Sequence, residues 1–248
     1  MPTPDNPPAD RDEVFSGTMK RIEDFKFSRD VVQVFDDMVD RSVPFYSEVQ
    51  RMITEMSESF LVDGTNVYDL GCSTGTTLGM IGQHTQKDVT LIGYDNAPDM
   101  LDRAREKLSA AGLENFELRE ADLNTDFEME NASLVLMILT LQFVRPLHRE
   151  SILKKIHASL NENGCLILFE KVLGEDSLFN RLFIDFYYDM KRRHGYSEME
   201  ISQKREALEN VLIPYRHMEN REMLQRCGFQ HVDTFFKWYN FCAMVAVK

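Results

Sequence analysis

The stretch Asn66-Val67-Tyr68-Asp69-Leu70-Gly71-Cys72-Ser73-Thr74-Gly75-Thr76 decides the fold. A short apolar strand, Val67 to Leu70, runs straight into Gly71, a small polar segment and Gly75, and a helical pattern starts near Thr77. Strand, tight turn and helix N-terminus in that order let a small ligand approach the backbone closely, because two positions carry no side chain. The pattern Asp-x-Gly-x-x-x-Gly is one glycine short of the dinucleotide fingerprint, which suits a single nucleoside with a small charged tail better than a pyrophosphate. A plainer reading is also open, in which the glycines only close a strand-to-helix turn.

Outward from this loop the chain alternates. Upstream, Val31, Val34, Phe35, Met38 and Val39 have helical spacing; Pro44 breaks that helix and a second runs from Tyr46 to about Phe60. Downstream come strands at Val89–Tyr94, Phe116–Arg119, Leu134–Leu139 and Cys165–Phe169, with helices over Thr77–Gln83, Ala97–Ala111 and Pro146–Leu160 and a helix stop at Asn161–Gly164. Strands that are apolar throughout, separated by helices, require a parallel sheet covered on both faces. Regularity lapses between Gly174 and Gly228, where Leu178–Arg193, Glu198–Leu212 and Met218–Arg226 are helix-like; this region reads as a helical insertion placed to act as a lid. Phe229–Lys237 and Asn240–Ala246 return to strand character as an edge hairpin, and residues 1–12, rich in proline and polar side chains, read as a disordered leader.

Size and charge set the class. The 248 residues fit one large α/β domain, and 28 Lys and Arg against 41 Asp and Glu give a net charge of −13, which repels free nucleic acid. The cysteines Cys72, Cys165, Cys227 and Cys242 form no CxxC pair, and the six histidines show no metal-ligand spacing, so a reduced, cytoplasmic protein without a metal site is expected. No apolar run approaches the length of a membrane span.

In doubly wound sheets ligands sit beyond the carboxyl ends of the strands. Those ends present Gly71, Cys72 and Ser73, then Asp95 and Asn96, then Asp122 and Leu123. Asp95 can accept both hydroxyls of a ribose or cap the helix that starts at Ala97. Asp122 beside Leu123 can read an adenine amino group with an apolar contact to the ring, or serve as a turn carboxylate. With no third glycine and no P-loop lysine, the adenine nucleoside most consistent with this edge is S-adenosylmethionine. Tyr46 can fold over the site or pack, and Arg205 can be a solvated helix charge or an anion ligand. No Gly-x-Ser-x-Gly elbow offers an acyl-transfer nucleophile.

The segments Arg41-Ser-Val-Pro-Phe-Tyr-Ser47, Val67-Tyr-Asp-Leu-Gly-Cys-Ser73, Asn131-Ala-Ser133, Leu139-Thr-Leu-Gln-Phe143 and Gly195-Tyr-Ser-Glu-Met-Glu-Ile-Ser-Gln-Lys-Arg-Glu-Ala-Leu-Glu-Asn-Val211 resemble the bacterial carboxy-S-adenosyl-L-methionine synthase family, and the likeness runs from about residue 25 to the end. The glycine loop is common to class I methyltransferases, whereas the Gly195–Val211 stretch is particular to this family. The resemblance implies a class I methyltransferase-like Rossmann fold with a mostly parallel seven-stranded sheet. It implies an enzyme that binds S-adenosylmethionine and carboxylates it with prephenate, releasing phenylpyruvate. It also implies a homodimer whose product, carboxy-S-adenosyl-L-methionine, serves a tRNA carboxymethyltransferase acting on wobble uridine. Carried over by motif, Tyr46, Gly71, Cys72, Ser73, Asp95, Asn96, Asp122 and Leu123 hold the nucleoside, and Arg205 holds the carboxylate of the modified sulfonium group and that of prephenate. The chain departs from the family pattern at Ile138, where an Asn is usual, and at Phe45, where a Gly is usual. Two other readings remain open: an ordinary methyltransferase for a small molecule, and a nucleoside-binding protein without catalysis.

Overall fold

The computed structural model describes residues 11–17, 22, 24–125 and 127–248. Two helices come first, α1 (Arg29–Ser42) and α2 (Tyr46–Glu58), followed by β1 (Thr65–Leu70), α3 (Thr76–His84), β2 (Val89–Asp95), α4 (Pro98–Ala110), β3 (Phe116–Glu120) and β4 (Ala132–Ile138). After a single 3-10 turn at Leu141–Phe143 come α5 (Pro146–Ser159), β5 (Leu160–Lys171), α6 (Ser177–Arg193), α7 (Glu198–Leu208), α8 (His217–Arg226), β6 (His231–Trp238) and β7 (Phe241–Val247). The seven strands form one sheet in the order β3-β2-β1-β4-β5-β7-β6. Strands β1 to β5 pair in parallel, and β7 runs antiparallel to both β5 and β6. The C-terminal hairpin thus occupies the edge, with β6 outermost. The order reverses between β1 and β4, and a crevice opens there at the carboxyl ends of the strands.

Side-chain alternation along the strands divides the core in two. Tyr68, Leu70, Val135, Met137, Leu166 and Leu168 face Ile152, Ile156, Met223 and Leu224 of α5 and α8. Val67, Leu134, Leu136, Ile167 and Phe169 face the other way, against Ile53, Leu78, Leu108, Tyr187 and Met190 of α2, α3, α4 and α6. A smaller cluster of Val31, Val32, Met38, Ala97 and Met100 seats α1 beside α4. Local signals start the helices that follow β5. The Asp176 carboxylate accepts from the backbone N–H groups of Leu178 and Phe179 at 2.8 and 3.0 Å, and Ser197 with Glu200 forms a capping box on α7.

Three details differ from the sequence reading. The stretch 174–228 is not one insertion: α8 packs beneath the sheet with α5, and only α6 and α7 lie on the side of α1 and α2. The stop at Asn161–Gly164 lies inside β5 as a bulge, since Leu160 already pairs with Ala132 and the ladder resumes at Leu134 with Cys165. Of the leader, residues 1–10 lie outside the described residues. Asp12 is not loose: it is 2% exposed, and its carboxylate accepts the Tyr196 hydroxyl at 2.6 Å. A charge that anchors a segment from 184 residues away leaves no periodic trace in sequence.

Phe45, where the family pattern carries glycine, caps α2 in the left-handed region at φ 53°, with its ring 60% exposed. That conformation costs a residue with a Cβ about 1–2 kcal/mol, and little packing offsets it here. Phe45→Gly is therefore expected to stabilise the protein by up to about 1 kcal/mol and raise the melting temperature by roughly 2–4 °C in calorimetry. An unchanged or lower melting temperature contradicts a strained cap.

Candidate functional site

At the switch point the ends of β1, β2, β3 and β4 surround a cavity of about 230 Å³. Its floor is the loop after β1. The N–H groups of Gly71 and Cys72 both donate to the Tyr94 carbonyl, at 2.7 and 2.9 Å, which bends the chain sharply toward β2. Gly71 has φ +83°, and a Cβ there would lie 2.5 Å from Thr140 Oγ1, so the exits of β1 and β4 approach as closely as only glycine permits. Two non-glycine residues on the cavity wall, Ser73 (φ 48°) and Leu139 (φ 60°), also hold left-handed backbone. Strain gathered at one cavity marks a place where shape is imposed by the surroundings.

The residues singled out from sequence separate into two groups. Tyr46, Gly71, Cys72, Ser73, Asp95, Asn96, Asp122 and Leu123 all line this cavity. Asp95 accepts from Ser73 N–H and Ala97 N–H, each at 2.9 Å, so it closes an Asx-type turn just ahead of α4, whose own N-cap is Ala97, and ties the glycine loop to β2 at once. Burial raises its carboxyl from the usual range against the pull of those backbone donors. Asp122 is exposed and accepts from the backbone and side chain of Asn124 at 2.9 and 2.8 Å, an Asx-type turn at the exit of β3. Tyr46 is the first residue of α2, and burial raises its hydroxyl well above its ordinary range. Ile138 gives the β4 exit an apolar wall where the family pattern has an amide. Arg205 is not brought into this cavity. It sits exposed on α7 and lines a second, smaller one, while its neighbour Lys204 lines both.

Four features escaped the sequence reading. Asp69, the lone acid in an apolar strand, is 2% exposed, and among the described residues its Oδ1 has no hydrogen-bond partner. Burial, then the neighbouring Asp95, pushes its carboxyl up to about 7. A buried carboxylate with a bare oxygen on a cavity wall is a seat for a cationic ligand group; its one sequence signal was charge within a hydrophobic run. An aromatic strap is the second feature: Phe27 packs edge-on against Phe35 and Phe143 at 6.2 and 5.8 Å, and the Phe25 N–H donates to Ala207 of α7 at 2.9 Å. Third, Asp36 of α1 accepts from Thr74 at 2.8 Å and from Lys107 of α4 at 2.7 Å, locking α1 and α4 onto the glycine loop. Burial opposes the Asp36 charge, but Lys107, Thr74 and Thr76 outweigh it and hold the carboxyl below its usual range. Fourth, Glu170 at the end of β5 accepts from Leu141 and Gln142 N–H at 2.9 and 2.7 Å, pinning the turn that follows β4.

Known proteins echo this arrangement. Residues 67–164 match the family described as methyltransferase domain. Across 96% of its length the chain is 56% identical to a carboxy-S-adenosyl-L-methionine synthase of Methylococcus capsulatus, covering 99% of that protein, and 46% identical to one of Sulfurimonas denitrificans with the same coverages. Among solved structures, an S-adenosylmethionine-dependent methyltransferase from Aquifex aeolicus superposes with a TM-score of 0.58 at 16% identity, over 90% of this chain and 98% of that one. Human N-acetylserotonin methyltransferase, solved with S-adenosylmethionine, gives 0.57 at 15% over 89% and 55%. At such identities the structures speak for the fold alone.

Asp69 makes the ligand-free protein pH-sensitive. Its folded-state carboxyl titrates near 7 against an ordinary value of 3.8, so between these values the folded state holds a proton that the unfolded state has released, and stability falls as pH rises. Asp69→Asn removes that contribution. Its stability relative to the parent should climb between pH 4 and 7 with a slope of up to about 1 kcal/mol per pH unit in urea titrations; a pH-independent difference means that the carboxyl is ionised throughout.

Proposed function

The chain belongs to the carboxy-S-adenosyl-L-methionine synthase family, and from that premise we propose that it transfers a carboxyl group from prephenate to the methyl carbon of S-adenosylmethionine. The observation that carries the nucleoside half is the convergence on one cavity of the glycine loop, the strand-end acids Asp95 and Asp122, and the uncompensated carboxylate of Asp69. In this reading Gly71, Cys72 and Ser73 admit the aminoacyl tail, Asp95 and Asn96 take the ribose hydroxyls, and Asp122 with Leu123 takes the adenine edge. Tyr46 closes the site from α2. Asp69 faces the positive end of the ligand, where the ammonium and sulfonium charges offset the cost of burying its own.

The chemistry balances within the two substrates. Prephenate loses its ring carboxylate as carbon dioxide and its ring hydroxyl as hydroxide, and becomes the aromatic phenylpyruvate. The hydroxide takes a proton from the S-methyl group and leaves as water. The resulting sulfonium ylide attacks carbon dioxide, forming the new carbon–carbon bond. Both the ylide and carbon dioxide are lost to bulk water, so exclusion of solvent is the chief demand on the protein. The Phe25–Phe27 strap and α7, which borders both cavities, are placed to meet it. Arg205, one turn-face away on α7, supplies a permanently charged fork for a carboxylate. Plain methyl transfer to a small molecule is the second reading, favoured by the apolar Ile138 on the cavity wall and the exposed position of Arg205.

The wider setting follows the same reading. The apolar band of α6, with Leu178 63%, Phe179 48% and Phe186 39% exposed beside Tyr239 at 40%, is a surface for a second copy of the chain. The product goes to a tRNA carboxymethyltransferase in the cytoplasm, and the net charge of −13 speaks against direct RNA contact. Among the described residues no helix is long and apolar enough to cross a membrane.

Incubation with S-adenosylmethionine and prephenate should yield a nucleoside heavier by one carbon dioxide in mass spectrometry, together with phenylpyruvate; unchanged S-adenosylmethionine sinks the carboxyl-transfer reading. Arg205→Ala should lower carboxylation by about a hundredfold or more while leaving S-adenosylmethionine binding within about threefold. Loss of nucleoside binding in that variant would show that Arg205 serves the fold instead.

A further inference from the structure

Beside the nucleoside cavity lies a smaller one lined in part by Lys171, Lys191 and Lys204. They come from three elements: Lys171 ends β5, Lys191 lies in the last turn of α6, and Lys204 is on α7. Lys191 and Lys204 are only 4% and 6% exposed. Two tyrosine rings stand among them. Lys171 and Lys191 lie 4.7 and 5.4 Å from the centre of Tyr187, and Lys191 and Lys204 lie 5.2 and 5.6 Å from that of Tyr196. The ring faces attract cations but do not neutralise them.

The acids fall short of the bases. Among the described residues the one ion pair made by any of the three is Lys204 with Asp12 at 3.7 Å, too long for a hydrogen bond, and Lys204 Nζ is buried without a hydrogen-bond partner. The same Asp12 oxygen already accepts the Tyr196 hydroxyl. Glu200 and Asp37 act on the group from farther off, but among the described residues no carboxylate comes within ion-pair distance of Lys171 or Lys191. Arg205 and Glu209, which also line it, are exposed. Burial lowers all three lysines from 10.5, Lys171 and Lys204 to about 8 and Lys191 to about 7; repulsion from Lys204 adds to it at Lys171 and Lys191, and at Lys204 the pull of Asp12 opposes it. Burying unpaired cations together is costly. Leucines would fill the same volume without that cost. An anion from outside would supply the close partner that Lys171 and Lys191 lack.

Resting on the reading that the second substrate is acidic, we propose that Lys171, Lys191 and Lys204 form a subsite for an organic dicarboxylate and seat both carboxylates of prephenate. Lys204 lines both cavities, so a dianion held here lies against the nucleoside cavity with its reacting end toward the sulfonium group. Tyr188, Leu208, Leu212 and Pro214 supply the apolar walls that a six-membered carbon ring requires.

Calorimetry on the full chain loaded with S-adenosylhomocysteine, which has no methyl group to react, separates binding from chemistry. Prephenate should bind saturably, and Lys171→Met and Lys191→Met should each weaken it by about tenfold or more with S-adenosylhomocysteine affinity unchanged. Phenylpyruvate, with one carboxylate, should bind the parent protein at least about tenfold more weakly. Equal prephenate affinity in the variants, equal affinity for the two acids, or no binding to the parent overturns the subsite. Should either variant fail to fold, the parent protein carrying 13Cε-labelled lysine decides the matter: prephenate must shift the buried lysine resonances, and unshifted resonances overturn it. Prephenate that binds in this way but yields no carboxylated nucleoside supports the subsite and rejects the carboxyl-transfer reading.

Discussion

The close approach of two strand exits governs the whole site. With a Cβ at position 71 only 2.5 Å from the Thr140 hydroxyl, β1 and β4 could not leave the sheet side by side. Because they do, the backbone at Gly71 and Cys72 is drawn onto the Tyr94 carbonyl, and Ser73 is presented to Asp95. β1 and β4 are parallel, and the strand order runs outward from them in opposite directions, so their connections leave on either side and a crevice stays open between the two halves. The surrounding parts act to hold that geometry. Glu170 pins the turn after β4, and Asp36 with Lys107 clamps the helices around the loop.

Charge divides the crevice into two unequal partners. The larger cavity is lined by the buried acids Asp69 and Asp95, and the cavity beside it by the buried bases Lys171, Lys191 and Lys204. Each set is raised in energy by burial and by its own like-charge neighbours, as the upward displacement of Asp69 and the downward displacement of the lysines record. A cationic sulfonium compound and an anionic co-substrate relieve opposite sides of the same imbalance. The two sets stand next to each other, with Lys204 on the shared wall.

Much of this was legible in the chain. Leu134 to Leu139 is apolar without alternation and Val67 to Leu70 is so but for Asp69, a pattern only a strand buried on both faces tolerates, and the strands formed within a residue or two of those bounds. The residues named from the strand ends line one cavity because the end of a parallel strand is a place that sequence order alone defines. Arg205 shows the limit of that method. Its neighbours in sequence identified the segment, but the helical rotation from position 204 to 205 sends one side chain to the shared wall and the other to the rim, and the pattern around them is too weakly amphipathic to say which. The helical stretch after β5 looked uniform for a similar reason: what separates α8 from α6 and α7 is the face of the sheet on which each is buried.

Sequence by itself determined the parallel sheet, the glycine turn and which strand ends share one cavity, since these depend on periodicity, on residues without side chains and on positions a fixed distance past a strand. Tertiary structure decided what the acids and bases are for. Asp12, Lys171, Lys191 and Lys204 are unremarkable as letters, and their character comes from burial beside one another. Solvent screens charges that are far apart in an open chain. Once the fold has removed the water, the same charges become the strongest forces in the site.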